Sequence, residues 1–225
     1  MPSPMPSFDV RFFREVARNL ELVRTGESAR IPIIGSPKHI KLKNLQIQEI
    51  YEKAYLNIFI AWELFLEKSF LAYLCGKASS RHGCVTLKRR SSFCKTMTEA
   101  ETVMLTDKNG DLNEYFLWSN LKNVLSLVKY HLDGSDPRYV RPHYKTIKAN
   151  FNRLVAFGAV RHRMAHHQRN TIIKFHAATR LLATKMFPSA KPGEFLQSWD
   201  TRTMPHVRWI ESIANELKAM ATAII

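Results

Sequence analysis

A long apolar segment constrains the fold of this chain more than any other feature. From about Leu42 to Leu74, apolar residues recur at three- and four-residue steps around most of one predicted helix. A helix that is apolar over so wide an arc has to be buried against several neighbours. The run is interrupted by Glu63, Glu67 and Lys68, and a charge at mid-membrane depth costs several kcal/mol. We therefore expect this helix in a protein core and expect no membrane binding.

The rest of the chain predicts an all-α protein, a bundle of four to five main helices in a single domain of residues 1–225. Hydrophobic spacing predicts the other helices at Phe8–Arg24 (with Gly26 as its stop), Leu112–Leu132, Pro142 through to the 160–167 segment, Asn170–Phe187 and Met204–Ile225. We find no convincing strand alternation. Residues 1–7 are proline-broken and read as a flexible leader, not a signal peptide.

Two segments interrupt the helical pattern. The stretch Glu27–Pro37 carries an Ile-Pro-Ile-Ile-Gly-Ser-Pro run, which predicts a loop whose Ile31, Ile33 and Ile34 pack on the bundle. Residues 76–111 read as a basic insertion with little regular structure, apart from a short helix around Thr98–Leu105. The insertion contains the Lys88-Arg89-Arg90 run, which is either a solvated loop or a segment that binds a nucleic-acid backbone.

The distribution of charge favours a polyanionic partner. The formal net charge is +15, and the 57 residues 137–193 contain twelve lysines and arginines and five histidines but no Asp or Glu. A surface so depleted in carboxylates attracts RNA, DNA or another polyanion. The three cysteines, an odd number without a disulfide-rich pattern, predict a reducing cytoplasm.

The segment Val160–His167 carries the candidate chemistry. Arg161 and His166 are five positions apart near the end of a predicted helix. Arginine can hold phosphate oxygens through a bidentate fork, and an ordinary imidazole, with a pKa of about 6.5, suits acid–base catalysis at neutral pH. We expect the pair to be catalytic. The substrate is expected to bind the neighbouring residues His162, Arg163, His167, Arg169 and Asn170.

Geometry sets a condition on this pair. Positions five apart on a regular helix point about 140° away from each other. Arg161 and His166 therefore act on one substrate atom only if the helix ends or bulges between them, or if a two-fold axis brings together two copies. We predict a homodimer with this cluster at its seam.

Other interpretations of the same residues stay open. Arg161 and His166 could be solvated residues on a basic helix. Histidines 162, 166 and 167 could ligate zinc, since His at i and i+4 can do so, but no acidic or cysteine partner is adjacent. Cys75, His82, Cys84 and Cys94 could also hold zinc, but their spacing fits no tight knuckle, and we expect no metal or other cofactor. Trp62, Phe65 and Phe70 are expected in the core and not as a base-stacking platform.

Arg161-x4-His166, with polar His162 after the arginine, resembles the Arg-x(4–6)-His motif of HEPN domains. The upstream Ile60–Glu67 segment, continuing to Phe70, Tyr73 and Leu74, is similar to the early helix of the same superfamily. The resemblance implies a dimerising helical bundle. Many such domains are metal-independent endoribonucleases in toxin–antitoxin and phage-defence systems, whereas others only bind nucleic acid or a partner.

Two functions from different classes follow. The first is a metal-independent endoribonuclease that cleaves single-stranded or looped RNA through the 2′-OH, with an antitoxin or other operon-encoded protein as a possible partner. The alternative is a non-catalytic helical module that binds nucleic acid or a protein. A DNA-binding regulator ranks last, because no helix-turn-helix spacing stands out.

Overall fold

The computed structural model describes residues 3–29, 42–88, 93–106, 110–135 and 140–225. These residues form two very short strands and nine helices, which confirms the all-α prediction. In chain order the elements are α1 Phe8–Ser28, α2 Asn44–Leu74, α3 Met97–Leu105, α4 Leu121–His131, α5 Pro142–Ala149, α6 Phe151–Ala165, α7 Arg169–Ala183, α8 Pro192–Gln197, β1 Trp199–Asp200, β2 Val207–Arg208 and α9 Trp209–Ile224. The two strands pair antiparallel, with Trp199 opposite Arg208 and Asp200 opposite Val207.

The chain groups into two compact units. The first unit comprises residues 1–12, 62–151 and 218–225, and the second comprises residues 13–61 and 152–217. The sequence ranges of α1, α2, α6 and α9 are each divided between the two units. The long apolar helix predicted from residue 42 is α2, and it supplies core residues to both units.

The core of the first unit is built around Phe70. Its ring makes edge contacts with Trp118, His131 and His143, at centroid distances of 5.8, 6.1 and 5.8 Å. His143 is fully buried, and its Nε2 lies 2.9 Å from the hydroxyl of Ser69. Its Nδ1 has no hydrogen-bond partner among the described residues. Burial lowers the pKa of His143 to about 3, so it is a neutral core residue.

The core of the second unit combines α2, α6 and the C-terminal elements. Phe195 stacks on Trp209 with ring centroids 5.1 Å apart, and both rings are buried. The buried carboxylate of Asp200 is bound by Arg202 at 2.7 Å and by the hydroxyl of Ser212 at 2.7 Å. These charge-assisted bonds hold the pKa of Asp200 far below its usual range. The short β1–β2 hairpin is thereby fixed to α9.

Gly26 is a packing residue and not a helix stop. Helix α1 continues to Ser28, so the predicted end after Arg24 was wrong. A Cβ atom at Gly26 would lie 3.0 Å from Cδ1 of Ile50 on α2, closer than ordinary van der Waals contact. The glycine thus permits close approach of α1 and α2 within the second unit.

Four further helix boundaries differ from the predictions, and one of these is the end of α7, at Ala183 rather than Phe187. The predicted continuous helix from Pro142 is two helices, α5 and α6, separated at Asn150, whose side chain donates to the Thr146 carbonyl at 2.9 Å. Helix α4 begins at Leu121 rather than Leu112, because Asn120 caps it by accepting from the Asn123 N–H. Helix α9 begins at Trp209, five residues later than expected.

The short helix in the insertion is confirmed as α3. Thr96 caps it by accepting from the Glu99 N–H at 3.1 Å, and the Lys95 N–H donates to the Glu99 carboxylate, a capping box. Ile31, Ile33, Ile34, Arg89 and Arg90 lie outside the described residues, so the expectations for them stay predictions. The three cysteines are free.

Trp62, Phe65 and Phe70 are core residues, as predicted: at most 3% of each is exposed. Phe12 packs against Trp62 and Phe65 with ring centroids 5.9 and 5.7 Å away. Within the described part of the chain, no helix has the length and hydrophobicity needed to span a membrane.

Two glycines of the second unit provide a matched stability test. A Cβ at Gly158, inside α6, would meet nothing within 4 Å in the described structure, so Gly158→Ala is expected to stabilise the protein by about 0.5–1 kcal/mol. A Cβ at Gly193 would lie 2.6 Å from the Gln48 carbonyl oxygen, so Gly193→Ala is expected to destabilise it. Urea unfolding of both variants measures the two changes, and equal changes would contradict this packing.

Candidate functional site

The helix that carries the candidate site is anchored to α2 by a buried hydrogen bond. The hydroxyl of Tyr55 on α2 donates to the carbonyl of Phe157 on α6 at 2.9 Å. Leu154, Phe157 and Val160 place one face of α6 in the core of the second unit. Arg161 directly follows Val160, so its Cα lies at the border between the buried face and the surface.

Arg161 is half-buried beside two aromatic rings of α2. Its guanidinium carbon lies 6.0 Å from the ring centroid of Phe59, within the range of a cation–π contact. Its positive charge also acts on the phenol of Tyr55, whose pKa is nevertheless raised because burial disfavours the phenolate. The Phe59 contact places the arginine side chain beside α2.

Helix α6 ends one residue before His166, so His166 lies just beyond its last assigned turn. The last helical residue is Ala165, although the His166 N–H still donates to the His162 carbonyl at 3.1 Å. The rings of His162 and His166 lie 4.5 Å apart between centroids, with their planes tilted by 53°. The two imidazoles therefore form one cluster at the C-terminal end of α6.

The backbone of His166 is held by two donors. Its carbonyl accepts from Nη1 of Arg163 at 3.1 Å and from the hydroxyl of Thr171 at 2.9 Å. Arg163 also donates from Nε to the Ala190 carbonyl at 3.1 Å. Arg163 therefore braces the turn between α6 and α7, with Nε and Nη1 directed to backbone oxygens.

His162 is the electrostatic centre of the cluster. Its pKa is lowered first by burial and then by the positive charges of His166, Lys174 and Arg161. Each of these three groups therefore lies close enough to act on the same imidazole. The shift favours the neutral form of His162, which can accept a hydrogen bond.

The remaining predicted site residues lie at the start of α7. His167, Arg169 and Asn170 are exposed, and no hydrogen bond or ion pair of theirs is found in the described ranges. Gln168 precedes the helix and makes no capping bond with its side chain. The first turn of α7 thus presents polar side chains next to His166.

The sequence analysis missed two residues of this site. Thr171 is 1% exposed and fixes the His166 carbonyl, while Lys174 adds to the positive field at His162. Lys174 belongs to the acid-free run, so charge could have suggested it. A single threonine in the first turn of a helix gives no comparable signal.

The cluster suits binding and acid–base chemistry on a phosphate ester. It combines a guanidinium, two adjacent imidazoles and a lysine, with no carboxylate in its sequence segment. Among the residues that the structure describes, no group of three or more His, Cys, Asp or Glu side chains is arranged to hold a metal ion.

Comparisons with protein-family models, curated proteins and solved structures find no match to this chain. The class of this protein is therefore described only by its fold and by the residues of the candidate site. It is an all-α protein with a cationic cluster of two histidines at the end of a helix.

The brace on His166 can be tested by removing one hydroxyl. Thr171→Val keeps the side-chain shape but deletes the hydroxyl that is shared between the His166 and Gln168 carbonyls, and we expect it to lower the free energy of unfolding by about 1 kcal/mol. Thr179→Val is the matched control, because Thr179 is also buried on α7 but donates only to the His176 carbonyl in its own helix. Denaturant unfolding compares them, and equal losses would argue against the brace.

Proposed function

We propose that this chain is a metal-independent endoribonuclease that cleaves single-stranded or looped RNA through the 2′-OH beside the scissile phosphate. One observation carries the proposal. The imidazoles of His162 and His166, one helical turn apart at the C-terminal end of α6, lie 4.5 Å apart, and the charge of Arg161 acts on His162. This reaction requires a guanidinium that binds phosphate oxygens and, at the same place, an imidazole that transfers a proton.

In the proposed reaction, one proton is transferred from the 2′-oxygen to the 5′-oxygen, and a bond from phosphorus to the 2′-oxygen replaces its bond to the 5′-oxygen. The 2′-oxygen attacks the adjacent phosphorus and loses its proton, the phosphorus–5′-oxygen bond breaks, and the leaving 5′-oxygen takes up a proton. The products are a 2′,3′-cyclic phosphate and a 5′-hydroxyl. His166 is assigned the proton transfers, and Arg161 is assigned the charge that builds on the non-bridging oxygens. Neutral His162 accepts a hydrogen bond from the 2′-hydroxyl of an adjacent nucleotide, which does not react.

RNA is the favoured substrate because the reaction uses a nucleophile that DNA lacks. Single-stranded or looped regions are favoured since in-line attack needs backbone freedom that a regular duplex denies. Arg169, Asn170 and His167 are assigned to the RNA backbone, next to the exposed start of α7. Arg163 is assigned to the same substrate surface, with its guanidinium already oriented by two carbonyls.

The biological setting of the proposal comes from the resemblance to HEPN domains. Endoribonucleases of that kind act in toxin–antitoxin and phage-defence systems, so we propose a cytoplasmic enzyme restrained by an antitoxin or another operon-encoded protein. We also propose a homodimer. Val155 of α6 and Ile173 of α7 are half or more exposed on the two helices that carry the cluster, which supports an apolar seam there.

Arg161→Ala and His166→Ala are each expected to lower RNA cleavage by roughly 10²- to 10⁴-fold, since each removes a group used in the transition state. The measurement incubates RNA with the purified variants in EDTA and scores 2′,3′-cyclic phosphate ends. Arg180→Ala and His206→Ala are matched controls, because they remove exposed residues of the same types that the reaction does not use. All four proteins must show the wild-type circular dichroism spectrum.

Undiminished cleavage by Arg161→Ala and His166→Ala would reject the catalytic assignment. Salt-dependent RNA binding without cyclic phosphate ends from the wild type would favour the non-catalytic module instead.

The homodimer is tested by placing a charge at its proposed seam. Ile173 is 61% exposed, and Ile173→Glu is expected to convert a dimer into a monomer because a carboxylate would be buried without a partner. Sedimentation velocity measures the change. Leu22→Glu is the control, since Leu22 is an exposed leucine on α1. A wild-type protein that sediments as a monomer at micromolar concentration would contradict the dimer.

A further inference from the structure

A second cationic cluster lies in the first unit, where α4 packs against α5. The ammonium of Lys129 on α4 lies 5.0 Å from the ring centroid of Tyr144 on α5, and the ammonium of Lys148 lies 5.6 Å from the same centroid. Lys148 is one helical turn after Tyr144, whereas Lys129 reaches the ring from the neighbouring helix. Both lysines are exposed, and the tyrosine is half-buried.

The core faces of the two helices fix this arrangement. Val124 and Val128 of α4 and His143 and Ile147 of α5 are buried. Tyr144 directly follows His143, so its Cα lies at the rim of the buried face of α5. The aromatic ring thus provides a fixed support on which two flexible lysine side chains converge.

Two like charges on one ring repel each other, and the nearby sequence offers little to neutralise them. Neither α4 nor α5 contains an Asp or Glu. The carboxylate of Asp133, which follows α4, accepts from the N–H groups of Gly134 and Ser135 and from the Ser135 hydroxyl. No ion pair of Lys129 or Lys148 with a carboxylate is found in the ranges that the structure describes.

The phenol of Tyr144 already responds to these cations. Hydrogen bonding from Lys129, followed by the charges of Lys129 and Lys148, lowers the pKa of Tyr144, since both interactions stabilise negative charge on the phenolic oxygen. Each ammonium has three N–H donors and gives at most one to the phenol. The remaining donors are available to an anion with several oxygens.

We propose that Lys129, Tyr144 and Lys148 form a binding site for a backbone phosphate of single-stranded RNA. The choice of RNA as the ligand rests on the proposed function. The two ammonium groups bind non-bridging phosphate oxygens, and the Tyr144 hydroxyl donates a third hydrogen bond. A single strand is favoured over a regular duplex because a flexible backbone can turn one phosphate into a cluster supported by an aromatic ring.

The experiment measures RNA affinity in a His166→Ala background, so that no substrate is consumed. Fluorescence anisotropy with a labelled single-stranded oligoribonucleotide gives the Kd at several potassium chloride concentrations. The Lys129→Gln/Lys148→Gln double variant is expected to bind roughly tenfold more weakly, and the slope of log Kd against log salt falls by about 0.7 for each phosphate that the variant no longer neutralises. Tyr144→Phe is expected to weaken binding without changing the slope.

The matched control is Lys122→Gln/Lys145→Gln, which removes the same charge from the same two helices but leaves the tyrosine cluster intact. Equal losses of affinity in the two double variants would show a diffuse positive field and overturn the site. The same proteins are tested on phosphatidylserine vesicles. Vesicle binding that depends on Lys129 and Lys148, with RNA binding that does not, would also overturn it.

The outcomes separate this site from the proposed catalysis. If the wild type fails to cleave RNA but Lys129 and Lys148 govern affinity and salt slope, the endoribonuclease proposal fails and the phosphate site stands. If the wild type cleaves RNA but the two double variants bind like the parent protein, only the phosphate site fails.

Discussion

The hydrogen bond from the Tyr55 hydroxyl to the Phe157 carbonyl connects the long core helix α2 to the helix that carries the candidate chemistry. Both residues are fully buried, so loss of this bond would leave a polar group without water. Phe157 is one helical turn before Arg161. The bond therefore fixes where α6 lies along α2, and how α6 is rotated about its own axis, at the turn where the candidate functional residues begin.

Charge is distributed unevenly along α6. Near its start, Arg153 forms a two-pronged ion pair with Glu216 of α9, which neutralises that end. Other acidic residues of the second unit are also engaged, with Asp200 bound to Arg202 and Glu211 bound to Arg24. The C-terminal end of α6 has instead two histidines and the field of Lys174. These carboxylates thus pair with Arg153, Arg202 and Arg24, and none of these arginines belongs to the proposed site.

Sequence reasoning predicted the features that depend on long apolar periodicity and on composition. Helix α2 was found because its apolar residues continue over eight turns, and the all-α class followed from the same signal. The break at Asn150 was missed because Ile147, Phe151 and Leu154 keep the spacing of one helix across it. Gly26 was misread because a glycine that packs against Ile50 looks the same in sequence as one that ends a helix.

The candidate site, like the fold, was predicted only in part. Arg161 and His166 were identified from residue type and spacing, which chemistry constrains strongly. The end of α6 at Ala165 could not be located from that spacing. The hairpin of β1 and β2 could not be predicted, since two-residue strands are too short to show alternation. Thr171 was missed because its role depends on a carbonyl that the sequence does not locate.

The proposed reaction and the positive field are physically coupled. Burial lowers the pKa of His162, and the positive charges of His166, Lys174 and Arg161 lower it further. A bound phosphate would bring negative charge to the same place and offset part of that repulsion. The proton affinity of His162 would then rise as the substrate arrives. In the proposed mechanism, the excess of cations would therefore both attract RNA and keep the proton affinity of His162 low until the substrate binds.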